Sequence, residues 1–235
     1  MQGRRAWLAS TALLALAACA GPNPPMPQTG SPPPHPVLPG PYQVLTLAEA
    51  ATLEAIVDRL IPPDELGPGG REAGCALFID RQLAGPFGRS ESLYLLPPFL
   101  DGTPEQGLQS PLTPAVRMRA GLAALEAHCR AAFVGRAFAA LPPAGQDRLL
   151  SEIEDGTRSL AGVNARAWFD LVLQMTMEGF FADPIHGGNR QMAGWRLIGF
   201  PGARYDYRDW VERHGAAYTL PPVGIGGRPG WHDAG

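Results

Sequence analysis

After residue 42, apolar residues recur at intervals of three and four, and prolines or glycine–proline pairs cut the pattern into segments. Leu47, Ala50, Leu53, Ile56, Val57 and Leu60 form the first stripe, which predicts a helix. Thr46 and Glu49 supply a capping box at its start, and Pro62-Pro63 stops it. Ala73, Ala76, Leu77, Ile79, Asp80 and Leu83 predict a second helix over 72–83, ended by Gly85-Pro86. Thr113-Pro114 opens a third, because proline suits the first helical position; Val116, Leu122, Leu125, Cys129, Ala132 and Phe133 continue it. Pro142-Pro143 precedes a short helix over 144–154, with Leu149, Leu150 and Ile153 inward. Asn164 caps an expected central helix bearing Trp168, Phe169, Val172, Met175, Met177 and Phe180. A last helix is expected over 190–198. No segment alternates with period two, so the fold class is mainly α: a single helical domain with long irregular proline- and glycine-rich connections, notably over 87–111 and after Tyr218.

The first forty residues do not belong to that pattern. Arg4 and Arg5 precede an apolar run, Leu8 to Ala18, that is too short to span a bilayer. With Ala6, Trp7 and Leu8 the pair looks like a twin-arginine export signal. Leu16-Ala17-Ala18-Cys19 is similar to a bacterial lipobox, in which Cys19 becomes lipidated; Ala15-Leu16-Ala17 also fits ordinary small-residue cleavage. Residues 21–41 are a proline-dominated spacer that forms neither helix nor ladder, with a reach of roughly 60 Å at about 3.1 Å per residue. The expected organisation is thus an export signal (1–20), a spacer (21–41), a helical domain (42–218) and an irregular tail (219–235). The expected location is the periplasm, with attachment to the membrane through a lipid anchor or a partner.

Composition narrows the functions. The net charge is −3 and no block of Lys or Arg stands on one face, which argues against nucleic acid. There are 3 cysteines; with Cys19 modified, Cys75 and Cys129 remain, either as a disulfide or as two buried thiols. The nearest approach to a dinucleotide fingerprint, Gly224-Ile225-Gly226-Gly227, has no strand before it, and no haem-attachment, nucleophile-elbow or zinc-protease motif occurs. Asp183 and His186, with His214, Glu178 or Asp206, are the best metal candidates. The same Asp183-Pro184 and Gly187-Gly188-Asn189 also suit a tight structural turn, and Gly187-Gly188 could form a phosphate nest. Trp168, Phe169 and Phe180 read as core, whereas Arg190, Trp195, Arg196, Arg204, Tyr205 and Tyr207 read as a contact surface rich in aromatic and Arg side chains.

The run from Glu178 to Arg204 carries a recognisable signature in Asp183, Pro184, His186, Gly187, Gly188, Asn189, Arg190, Trp195, Gly199, Phe200, Pro201, Gly202 and Arg204. Together with Ala73 to Gly88 and Gln109 to Pro114, it resembles the small third subunit of the gluconate 2-dehydrogenase family. The resemblance implies a partner-contact role for the motif and no catalytic, cofactor or metal ligands in this chain. FAD would sit in a large dehydrogenase subunit of the glucose–methanol–choline type, haem c in a multihaem cytochrome, and the small subunit would assist maturation and export. Against it stand a lone envelope lipoprotein with a metal centre at Asp183 and His186, and a non-enzymatic envelope scaffold.

Overall fold

Capping side chains and prolines set the helix limits. A computed structural model of the chain describes residues 41–226, apart from 93–95, 101, 104–105, 107–108 and 205. The export signal with Arg4 and Arg5, the lipobox Cys19, all of the spacer but Pro41, and Tyr205 lie outside the described residues. Among those residues are six α-helices and no strand, only three isolated bridges.

Helix α1 spans Leu47–Leu60: the Thr46 hydroxyl accepts the Glu49 amide at 3.3 Å while the Glu49 carboxylate accepts the Thr46 amide at 2.8 Å. Helix α2 runs Cys75–Ala84, three residues later than the apolar pattern suggests. The delay comes from Gly74, whose φ of +82° closes a turn that a helix cannot continue through. Helix α3 is Pro114–Ala132, with the Thr113 hydroxyl accepting the Val116 amide, and α4 is Pro143–Glu154. Helix α5, Ala165–Phe181, begins where Asn164 Oδ1 accepts the Ala167 amide at 3.0 Å. Helix α6 is short, Ala193–Ile198.

The fold is arranged around α5, which packs against α1, α2, α3, α4 and α6. Val172 and Met175 sit in its buried stripe, against a core that includes Leu53 and Ile56 of α1, Ile79 and Leu83 of α2, Leu122 and Leu125 of α3, and Ile153 of α4. Each such side chain contributes about 1.5–3 kcal/mol by leaving water. Gly121 leaves the space on α3 into which the Trp168 ring fits, and the Trp168 indole donates to the Met118 carbonyl at 3.3 Å. The apolar stripe overreaches the core at its margins: Met177 is 44% exposed, and Leu47 and Val116 face water in the first turns of their helices. Cys75 and Cys129 are free and buried; burial pushes the Cys75 thiol up to about 12, and burial aided by Glu126 pushes Cys129 to about 11.

One buried carboxylate ties the start of the domain to this body. Asp80, fully buried on α2, accepts the amides of Gln43, Val44 and Leu45 at 2.7, 2.9 and 3.0 Å. Three orphan amides are thereby satisfied by one charged acceptor, a strong class of hydrogen bond. Replacing Asp80 by Ala strands those donors and should cost about 3 kcal/mol, read as a lower urea midpoint. A loss below about 0.5 kcal/mol would show that water replaces the carboxylate without penalty.

Candidate functional site

Immediately after α5 the chain reverses, and the reversal is built from the signature residues. Asp183 opens a single 3₁₀ turn, Pro184–His186, and its Oδ1 accepts the Ile185 amide at 3.0 Å. Its Oδ2 accepts the Ile225 amide at 2.7 Å, a contact that crosses 42 residues and fixes the C-terminal segment onto the turn. Gly187 follows with φ +96°, where a side chain would be strained.

Asn189 is the centre of the reversal. Fully buried, it sits in the left-handed region at φ 46°, which asparagine tolerates better than most residues. Its Nδ2 donates to the Ala182 carbonyl at 2.8 Å, at the end of α5, and its Oδ1 accepts the Gly194 amide at 2.8 Å, at the start of α6. One side chain thus satisfies backbone groups at two helix termini.

The glycines of the signature permit backbone contact at close range. A Cβ on Gly188 would collide with the Gly179 carbonyl of α5, and one on Gly194 with the Phe180 carbonyl. A Cβ on Gly74, ahead of α2, would come within 2.7 Å of the Gly187 carbonyl and of Arg190 Nε. The Arg190 amide donates to the Ala73 carbonyl at 3.0 Å, which ties the turn to the approach of α2. Trp195 packs inward, its indole donating to the Phe181 carbonyl at 2.7 Å, and Phe200 meets its ring edge-on at 5.2 Å. Gly199 ends α6 in a left-handed conformation, and Gly202 lies against Val223. Pro201 accepts the Val223 amide at 3.2 Å, and Arg204 Nη2 donates to the Pro221 carbonyl at 2.6 Å.

This geometry bears on the readings that the sequence left open and changes one expectation, that of Trp195. Both oxygens of Asp183 serve backbone amides, and among the described residues no group of three or more His, Cys, Asp and Glu side chains gathers as a metal set. Gly187 and Gly188 are buried against neighbouring backbone, so they do not form an open phosphate nest. Gly224 and Ile225 are pinned beside Asp183 instead of opening a dinucleotide loop. Trp195, read as a contact residue, is core, because its ring and its N–H are both satisfied inside. Of the rest of that proposed surface, Arg196 and Tyr207 are exposed, Arg190 and Arg204 partly so.

The outward face beside the turn mixes apolar side chains with exposed His186, Gln191 and Arg196. Leu197, Ile198 and Phe200 are 47%, 59% and 44% exposed. A groove of about 540 Å³ lies between α2 and the end of α5, lined by Phe78, Phe181 and Ala182 with Gln82, Glu178, Asp183 and His186. A second depression of about 440 Å³ holds Glu54, Asp58 and Glu72 with Arg71 and Arg190. Sequence reasoning overlooked Gly74, Gly179 and Gly194 as contact points. A glycine inside the apolar α5 pattern, where alanine would favour the helix, is the signal that marks a close approach at Gly179.

Asn189→Ala removes the side-chain partners of the part-buried Ala182 carbonyl and the buried Gly194 amide and should lower unfolding stability by about 2–4 kcal/mol. Asn189→Asp keeps the acceptor and loses the donor, so it should fall between the two in the same urea titration. Equal stability of all three proteins would contradict the bridging role.

A family model described as gluconate 2-dehydrogenase subunit 3 matches residues 48–202, from the first turn of α1 to Gly202 in the signature. No curated protein and no solved structure matches the chain. The match covers the helical body and the whole reversal after α5, and on that extent the chain belongs to the gluconate 2-dehydrogenase subunit 3 family.

Proposed function

We propose that this chain is a non-catalytic accessory subunit of an envelope dehydrogenase that oxidises gluconate or a related sugar or polyol. On this reading a companion flavoprotein carries FAD and performs the oxidation, and a multihaem cytochrome c is a further member of the assembly. The observation that carries the reading is how the signature spends its polar atoms. Asp183, Asn189, Trp195 and Arg204 direct theirs at the chain's own backbone, which builds a rigid platform in place of a reactive centre. Beside it stand Leu197, Ile198 and Phe200, apolar side chains that favour burial against another surface.

The N-terminal expectations fit the same role. Flavin insertion in the cytoplasm demands that the flavoprotein fold before export, and a twin-arginine leader at Arg4 and Arg5 would carry a folded companion with it. Lipidation at Cys19 would then hold the pair at the periplasmic face of the membrane, with the spacer as tether.

Two substitutions separate docking from export. Leu197→Asp with Phe200→Asp places charge on the outward face and should cut co-purification of the flavoprotein at least about tenfold, with the far-ultraviolet circular dichroism of the chain unchanged. Undiminished co-purification would remove α6 from the interface. Arg4→Lys with Arg5→Lys should trap flavin-dependent dye reduction in the cytoplasm; normal periplasmic activity would count against the escort role.

A further inference from the structure

The last described residues are held against the body. Val223 and Gly224 are buried; the Val223 amide donates to Pro201, and its carbonyl accepts the Ala203 amide. The Ile225 amide then donates to Asp183 Oδ2 at 2.7 Å, and a Cβ on Gly224 would stand 3.3 Å from Asp183 Oδ1. Asp183 is at the same time a wall of the largely apolar groove of about 540 Å³ between α2 and the end of α5. The chain is therefore delivered to the rim of that groove with residues 227–235 still to follow.

We propose that residues 227–235 dock in this groove as an intramolecular ligand, with the Trp231 indole against Phe181 and Ala182. Trp231 lies six residues after Ile225, a reach of at most about 20 Å, and the groove begins at the carboxylate to which Ile225 is bonded. So short a link holds the tail at an effective concentration of about millimolar, and a weak contact suffices. An indole offers a large apolar surface with one N–H. The groove answers both: Phe78 and Phe181 supply rings, and Gln82 and Glu178 supply acceptors. Glu178 uses Oε1 for Gln174 at 2.8 Å, and its Oε2 has no partner among the described residues. Charge agrees, since the described lining holds Glu178 and Asp183 but no Lys or Arg, while Arg228 is the first charged residue of the tail. The proline spacer also enters the fold near α2, where the Pro41 carbonyl accepts from Arg81 Nη2 at 3.5 Å. It suits the groove less, because residues 21–41 contain no aromatic side chain, Lys or Arg. The inference concerns the chain's own tail and stands apart from the flavoprotein reading.

The test is fluorine NMR of the full chain labelled with 5-fluorotryptophan, the Trp231 resonance being the one that Trp231→Phe removes. A labelled synthetic peptide of residues 227–235 gives the position of the undocked indole. In the wild-type chain Trp231 should resonate away from that position, independently of protein concentration. Ala182→Arg, which fills the groove, should return it to the peptide position while the Trp168 resonance of the core holds still. Glu178→Lys, at an exposed helical position, should move it part of the way in the same direction. A Trp231 resonance already at the peptide position in the wild type would overturn the proposal, as would one that neither variant moves. A displacement that disappears on dilution would also overturn it, because the tail would then fill the groove of a second copy.

Discussion

The amide of Asn189 decides how the second half of this protein is put together. It bonds the Ala182 carbonyl that caps α5 to the Gly194 amide in the first turn of α6, one backbone group at each of two helix ends that a helix cannot satisfy from within. With that reversal fixed, Gly188 and Gly194 rest on the carbonyls of Gly179 and Phe180, and the Trp195 ring is delivered to the Phe181 carbonyl. A half-satisfied polar group at full burial would be worse than none, so the bridge specifies one geometry as well as stabilising it. Asp183 adds the long-range half of the joint by taking the Ile225 amide.

Most of the helical body could be read from local chemistry, because caps and prolines act within a few residues. Thr46 with Glu49, Thr113 with Pro114, and Asn164 all cap where the sequence places them. The errors occur where distant contacts intervene. Gly74 turns under Gly187 and Arg190, which delays α2. Gln191 and Met192 take positive φ, which shortens α6 relative to the apolar run over 190–198. Trp195 looks like a contact residue until its partner carbonyl, 14 residues earlier, is known. At Asp183 the local Asp-Pro and Gly-Gly pattern already suits the turn that is found, and only the Ile225 contact that completes it is invisible locally.

The functional consequence is a division between inside and outside. Asn189 and the Trp195 indole turn inward and tie the reversal together, while Leu197, Ile198 and Phe200 stand at the surface beside exposed His186 and Arg196. At the other end of the domain, Asp80 holds residues 43–45 onto α2, whose start is in turn tied to the signature through Ala73 and Arg190. The buried thiols of this body, raised well above neutral pH, are poor nucleophiles there.

The decisive measurement is a gentle extraction of the native protein from membranes, with visible absorbance and dye-linked oxidation followed before and after the chain is separated from whatever accompanies it. Flavin absorbance and aldonate oxidation should travel with a companion polypeptide and be absent from the separated chain. Oxidation of aldonates by the isolated, monomeric chain would contradict the accessory role outright.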